Sequence, residues 1–449
     1  MAIANANGPA TTSTGTAANY RPALAVVTTL FFMWGSLTAL NDVLIPHFQH
    51  VFSIKLAVSM LVQTAFFSAY FVFSIPGAKI IDWLGYQRAM VVGLLTMGAG
   101  AFLFVPAAKG PSFGLFLAAL IVLAAGITVL QVAANPYVTV LGKPETASSR
   151  LNLTQAFNSL GTVVAPWIGA HLILASAAVT AAQTPVEQAA SVIKPYVGLA
   201  VTLVLLAVAI GLAKLPKIAS AEHHIGQKVN DSIWKHPNLV FGAIAIFVYV
   251  GAEVAIGSSI ANYLALDNIG GFVSSSSVPD ATLRYQEALV SAAKYISLYW
   301  LGAMIGRFIG SAILQKVKTG YLLGLCAVMA ALLVTISVLS SGPVAMWSIL
   351  LVGLFNSIMF PSIFTLGVAE LGPLTGDGSG IMIMAIVGGA IIPWIVGKVA
   401  DLINAQSYGG AIWGQGLHRA LILAAVCYLY ILFFALSGSK PNSERYAKA

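Results

Sequence analysis

The sequence predicts an all-α integral membrane protein in which twelve transmembrane helices form two homologous six-helix halves. Three observations lead to that fold class. The chain is 59% hydrophobic and 8% charged with a mean hydropathy of +0.90, whereas a soluble domain is about one quarter charged; a lipid-embedded bundle can absorb apolar surface that one soluble core could not hide. Gln131, Pro136, Leu141 and Gly142 recur as Asn356, Pro361, Leu366 and Gly367, each displaced by 225 positions, and Gly161 and Pro166-Trp167 recur as Gly388 and Pro393-Trp394, displaced by 227. The widest break in the hydrophobic pattern, between Lys214 and Asn238, separates six spans from six. Parallel halves of this kind usually enclose a path at their interface.

A span needs roughly 20 apolar residues. Twelve stretches qualify, at roughly 22–46, 56–80, 88–107, 113–141, 150–176, 194–215, 238–264, 291–315, 320–340, 345–370, 378–403 and 415–437. They imply a disordered tail over 1–20, an N-terminal bundle over 21–215, a linker over 216–237, a C-terminal bundle over 238–437 and a tail over 438–449. The segment 265–290, with its Ser274–Ser277 run and Pro279, reads as a polar loop on the far side from the termini.

Charge sets the expected orientation. Fifteen of the 22 basic residues, Arg21, Lys79, Arg88, Lys143 and Arg150 among them, fall on the side shared by both termini, which the positive-inside rule makes the cytoplasm. The net charge of +8 therefore reads as topology and attraction to lipid headgroups; nothing is clustered or interleaved with aromatics enough for nucleic acid. The first twenty residues lack the basic n-region of a cleaved signal. Cys326 and Cys427 both sit inside predicted helices, where packing is the expected role, and no ligand spacing points to a metal site.

Gly77, Asp82, Gly85 and Arg88 have the spacing of a tight charged reversal between the second and third spans, and Gly302, Gly306, Arg307 and Gly320-Tyr321 form a worn copy in the second half. Glycines permit the turn, while Asp and Arg can contact neighbouring helix ends as the halves move.

Two acids stand alone inside apolar spans, Asp42 and Glu253. A carboxylate in hydrocarbon costs a few kcal/mol or more unless protonated, paired or wetted, so these acids are expected to face a cavity. Thr38, Asn41 and Asp42 share a helix face with Trp34 one turn below. Gln131 and Asn135 on the fourth span, and Asn152, Gln155 and Asn158 on the fifth, form amide stripes, with Asn356 as the counterpart in the tenth and Tyr295 and Tyr299 one turn apart in the eighth. Amides supply both donors and acceptors, as sugar hydroxyls require, although they also join transmembrane helices to one another.

At these residues the chain resembles the fucose–galactose–glucose:proton symporter family of the major facilitator superfamily over nearly its whole length. The resemblance is carried by Leu40-Asn41-Asp42-Val-Leu-Ile-Pro46-His-Phe-Gln49, Ala133-Ala134-Asn135-Pro136-Tyr-Val-Thr-Val-Leu-Gly142 and Arg150-Leu-Asn-Leu-Thr-Gln155-Ala-Phe-Asn158-Ser159. Tyr249-Val-Gly-Ala-Glu253-Val-Ala-Ile-Gly257-Ser258 is similar to the glucose/galactose branch. The resemblance implies the major facilitator fold and cation-driven uptake of a monosaccharide, with Asp42 matching the acidic residue that family members use in coupling. Gln131 stands where the fucose branch has glutamate, so a proton carrier at that position is absent.

The sequence therefore predicts a monomeric, alternating-access importer of a neutral hexose in a plasma membrane of bacterial inner-membrane type. No cofactor and no nucleic-acid partner are expected. The cation is expected to be a proton carried by Asp42 with help from Glu253; the alternative is sodium held near Asp42 by Asn41 and Thr38, for a hexose or N-acetylglucosamine. Trp34, Thr38, Asn41, Gln131, Asn135, Gln155, Asn158, Tyr295 and Asn356 are the expected sugar contacts. An exporter of amphiphiles would want a greasier cavity than the amide stripes provide, an enzyme would want a convergent nucleophile, base or metal set, and a receptor would bind sugar without moving it.

Overall fold

The computed structural model describes residues 20–52, 54, 61–169, 189–216, 232–272, 281–406 and 414–441, and all regular structure among them is helical. The first half contains α1 (Arg21–Phe52), α2 (Leu61–Lys109), α3 (Phe113–Val140), α4 (Ala147–Gly169) and α5 (Ile193–Leu212). The second opens with α6 (Pro237–Leu264), the single turn α7 (Asp267–Gly270), α8 (Ala281–Ala293), α9 (Ile296–Ile313) and α10 (Thr319–Leu339). It continues through α11 (Gly342–Asn356), α12 (Met359–Gly367), α13 (Thr375–Met384), α14 (Gly388–Gln406), α15 (Gly414–Ala420) and α16 (Ile422–Phe433), which ends in a π-helical turn over Phe434–Gly438.

Ten stretches among the described residues are long and apolar enough to cross a bilayer. One of them is two passes. The 49 residues of α2 would run about 74 Å if straight, more than twice the hydrocarbon thickness, and the helix breaks at Gly85, where φ is 76° and ψ is 169°. Only glycine takes that backbone without steric cost. The 23 residues of α4 are long enough for a twelfth pass; their amides and hydroxyls hold their hydropathy below that of the other passes.

Within the first half α2 lies along α3 and α5, and α1 along α4; within the second α6 packs on α12, α14 and α16, and α10 on α11 and α16. The halves meet along a seam at which α4 faces α9 and α12, while α2 and α3 face α13. The sequence repeat has a packing counterpart. Gly161 brings α4 onto the Phe32 carbonyl of α1, and Gly388 brings α14 onto the Phe247 carbonyl of α6. A Cβ at either position would collide with backbone, so a small residue is what allows each crossing.

Several elements differ from the sequence expectation, among them the spans expected over 378–403 and 415–437, which are divided by a 3-10 turn over Ala385–Val387 and at Leu421. α1 continues to Phe52. The segment 265–290 holds α7 and most of α8 and is not wholly a loop. The span expected over 345–370 is divided at Ser357-Ile358 into α11 and α12.

Candidate functional site

Proline shapes the seam. Lacking an N–H, it leaves the carbonyl four residues earlier without its helical donor. Pro136 does this to Val132 in α3, and its repeat partner Pro361 does it to Ser357, in the turn between α11 and α12. Both carbonyls are satisfied from other helices. Ser379 of α13 donates its hydroxyl to the Val132 carbonyl at 2.8 Å, across the seam. Arg307 of α9 donates Nε to the Ser357 carbonyl at 3.0 Å, and its Nη1 crosses to the Gln155 carbonyl at 3.5 Å and to the Ser159 hydroxyl in α4. The turn also frees the Asn356 carbonyl, which accepts from the Tyr249 hydroxyl of α6 at 3.0 Å.

The repeated amides make repeated contacts. Gln131 Nε2 donates to the Tyr70 hydroxyl of α2 at 2.7 Å, and Asn356 Nδ2 donates to the Tyr299 hydroxyl of α9 at 2.8 Å. All four side chains are buried. On the α4 wall Gln155 Nε2 reaches Asn135 Oδ1 at 3.4 Å, whereas Asn158 Nδ2 donates to the Phe31 carbonyl at 3.0 Å and ties α4 to α1. Glu253 has Arg307 and the Tyr249 hydroxyl within interaction range, and Tyr428 of α16 lies near Asn356, Tyr299 and Glu253. The polar path thus runs from Asn135 through Gln155 and Arg307 to Asn356 and Glu253. Along it Asn135 Nδ2, Asn356 Oδ1 and Glu253 Oε1 are shielded from solvent and make no close hydrogen bond of their own, although the Tyr428 hydroxyl lies near Asn356 and the Tyr249 hydroxyl near Glu253. Buried polar atoms are nearly always bonded, so these three are open to a further hydrogen-bond partner.

Trp34, Thr38 and Tyr295 make other contacts. Trp34 is packed in the core against Phe31, with ring centroids 4.0 Å apart, and the Thr38 hydroxyl donates to the Trp34 carbonyl at 2.9 Å. α1 carries Asn41 and Asp42, whose side chains lie outside the described residues. Tyr295 packs on Phe272 and Trp347 at 5.9 and 6.5 Å; it is Tyr299, one turn on, that reaches Asn356. Of the expected conformational residues, Gly77 abuts Val129 of α3, Gly85 makes the reversal, and Arg88 is exposed. Asp82 pairs with Lys79 at 3.2 Å, and Lys79 crosses to Asp377 of α13 at 2.8 Å, so lysine is the bridging cation there. Arg307 lies within α9 and not in a reversal, because the chain turns after Ile313.

Further hydroxyls close the same end of the seam, the one that carries Arg21. Ser149 and Ser311 each donate to the other's carbonyl, at 2.7 and 2.9 Å, and Thr319 donates to Ser148 at 2.9 Å. Among the described residues, the hydrogen bonds between halves run from mid-membrane to this end. The sequence alone did not expose Lys79, Asp377, Ser159 or Ser379. The one available signal was the prolines, which name the orphaned carbonyls but not their donors.

The Major Facilitator Superfamily model matches residues 24–393. The chain is 47% identical to the glucose/galactose transporter of Brucella abortus biovar 1 (strain 9-941) over 97% of its own length and 98% of the relative's. It is 40% identical to a putative glucose/galactose transporter of Helicobacter pylori (strain J99 / ATCC 700824), covering 94% and 98%, and 32% identical to the L-fucose-proton symporter of Escherichia coli (strain K12), covering 94% of each. The crystal structure of the transporter FucP in its outward conformation superimposes with a TM-score of 0.80 at 30% identity, covering 94% of this chain and 99% of that one. These relatives are named as transporters and not as enzymes. With most of its length matched by the family model and by relatives of this similarity, the chain belongs to the Major Facilitator Superfamily, on the branch of the glucose/galactose transporters and fucose–proton symporters.

Proposed function

We propose that the protein imports a neutral hexose such as glucose or galactose, together with a proton, by rocking its two halves about the polar path at the seam. The observation that carries this reading is the set of buried polar atoms without a close hydrogen bond, one donor on Asn135 and acceptors on Asn356 and Glu253. They lie on both sides of the seam, and a pyranose hydroxyl can donate and accept at once. Gln131, Gln155, Tyr70 and Tyr299 border the same path, and the glucose/galactose transporters at 40% and 47% identity lend support to the substrate class. Asp42 serves as the main coupling group and Glu253 as its assistant. A proton moving down roughly 100 mV supplies about 2.3 kcal/mol, enough for nearly fifty-fold accumulation.

On this reading the Arg21 end and both termini are cytoplasmic, which the excess of basic residues on that side supports. The seam bonds then close the inner end, in keeping with the likeness to an outward-conformation relative. The protein acts as a monomer in a bacterial inner membrane.

Counterflow of labelled sugars in proteoliposomes, under separately imposed proton and sodium gradients, tests the reading. Glucose or galactose should exchange, and uphill uptake should follow the proton gradient. Analogues lacking one hydroxyl should lose roughly 1–3 kcal/mol because a buried partner is left bare. Equal competition by every deoxy-sugar would remove the site from the seam, and uptake driven by sodium at constant pH would replace the proton.

A further inference from the structure

A groove of about 480 Å³ runs along the outer face of the first half between α1 and α4, lined on one side by Arg21, Leu24, Ala25, Thr28 and Phe32 and on the other by Leu153 and Phe157. Its hydroxyls do not make it polar. Thr28 donates to the Leu24 carbonyl and Thr29 to the Val26 carbonyl, each at 2.7 Å, so both donors are turned back into α1. What faces the groove is hydrocarbon, with the guanidinium of Arg21 at one end. From Arg21 to Phe32 the helix rises about 16 Å, close to half of the ~30 Å hydrocarbon thickness. The groove is therefore one leaflet deep, and its cation sits at headgroup level beside Tyr20, which is exposed as interfacial aromatics are.

From this geometry we infer that the groove binds an anionic phospholipid, with an acyl chain between α1 and α4 and its phosphate on Arg21. A guanidinium matches two phosphate oxygens in a bidentate fork, and the end of the bundle that carries Arg21 also displays the exposed cations Lys143, Lys316 and Lys318, which enrich anionic lipid nearby. The inference is independent of the proposed sugar transport. A second cleft offers an internal control: it lies between α2 and α5, measures about 460 Å³, and is lined by Leu95, Ala99, Phe102, Ala200, Val201 and Val204 among residues that carry no charge. The α1–α4 groove also adjoins the seam, because Phe157 meets Phe308 of the other half edge-on at 5.9 Å.

The test is native mass spectrometry of the full chain, released from detergent micelles doped with phosphatidylglycerol or with phosphatidylcholine of the same acyl chains. The wild type should retain phosphatidylglycerol preferentially. Arg21→Gln should weaken that retention about fivefold, the value of one interfacial cation, while Arg21→Lys keeps most of the preference. Ala25→Trp, which fills the groove, should reduce retention of both lipids, and Val201→Trp in the second cleft should leave the phosphatidylglycerol preference unchanged. Equal retention of the two lipids by the wild type overturns the proposal, as does undiminished phosphatidylglycerol binding in both Arg21→Gln and Ala25→Trp.

Discussion

Ser379 in the second half donates its hydroxyl, at 2.8 Å, to the carbonyl of Val132 in the first. That acceptor is available because Pro136, four residues on, has no N–H to offer it. A helix defect in one half thus becomes a bond between halves, and only a conformation with this end of the seam closed can satisfy it. Ser379→Ala should leave the Val132 carbonyl bare at a cost of about 1–2 kcal/mol, which moves the equilibrium between closed and open Arg21 ends five- to thirty-fold. Pro136→Ala restores the missing N–H, so the double variant should recover part of the loss, as residues sharing one acceptor are non-additive. Spin labels at Lys143 and Lys316, exposed on opposite halves, report the separation in a background without Cys326 and Cys427; strictly additive shifts would count against this account.

The Lys79–Asp377 pair crosses the same seam at 2.8 Å but is partly exposed, with side-chain accessibilities of 49% and 31%. Exposed pairs contribute at most about 1 kcal/mol and are screened by salt. Asp377→Asn should therefore open the Arg21 end less than Ser379→Ala does, and its effect should fade as ionic strength rises. A larger, salt-insensitive effect in the same spin-label measurement would reverse that ranking.

Tyr299 holds the Asn356 amide by accepting from Nδ2 at 2.8 Å, which fixes where Asn356 Oδ1 points. Tyr299→Phe should release the amide and raise the half-saturating concentration for sugar by about five- to thirty-fold, for a lost bond of about 1–2 kcal/mol. Tyr295→Phe, one turn away and packed on Phe272, should change it little. Sugar binding measured by isothermal calorimetry on both variants separates the two tyrosines, and equal losses would remove the special role of Tyr299.

If proton binding at Asp42 is the coupling event, Asp42→Asn mimics the loaded carrier permanently. Counterflow should persist, since exchange needs only rocking of the loaded form, while uphill accumulation and its dependence on the pH gradient disappear. Glu253→Gln should show a milder version of the same split. Uphill accumulation by Asp42→Asn at the wild-type level would sink the coupling assignment.

Much of the fold was legible in one dimension. Hydropathy gave the passes because a bilayer admits backbone only as helices with their bonds made internally, Gly85 marked the reversal, and the displaced Pro136 and Pro361 marked the two halves. The amides of Gln131 and Asn356 were legible as a matched pair for the same reason. Their partners were not. Helical spacing says which residues share a face, but Tyr70 and Tyr299 belong to other helices, and nothing local distinguishes Tyr299 from Tyr295. Arg307 read as part of a worn turn because its neighbours are glycines, yet Gly306 instead lets α9 close on Leu354 and Ser357, and the arginine spans the seam. Sequence by itself determined the solvent, the repeat and the chemistry of the side chains, since each follows from residue type and period. Tertiary structure alone decided which orphaned carbonyl meets which donor, because that depends on how two helices far apart in the chain lie against each other, to within the roughly 3 Å reach of a hydrogen bond.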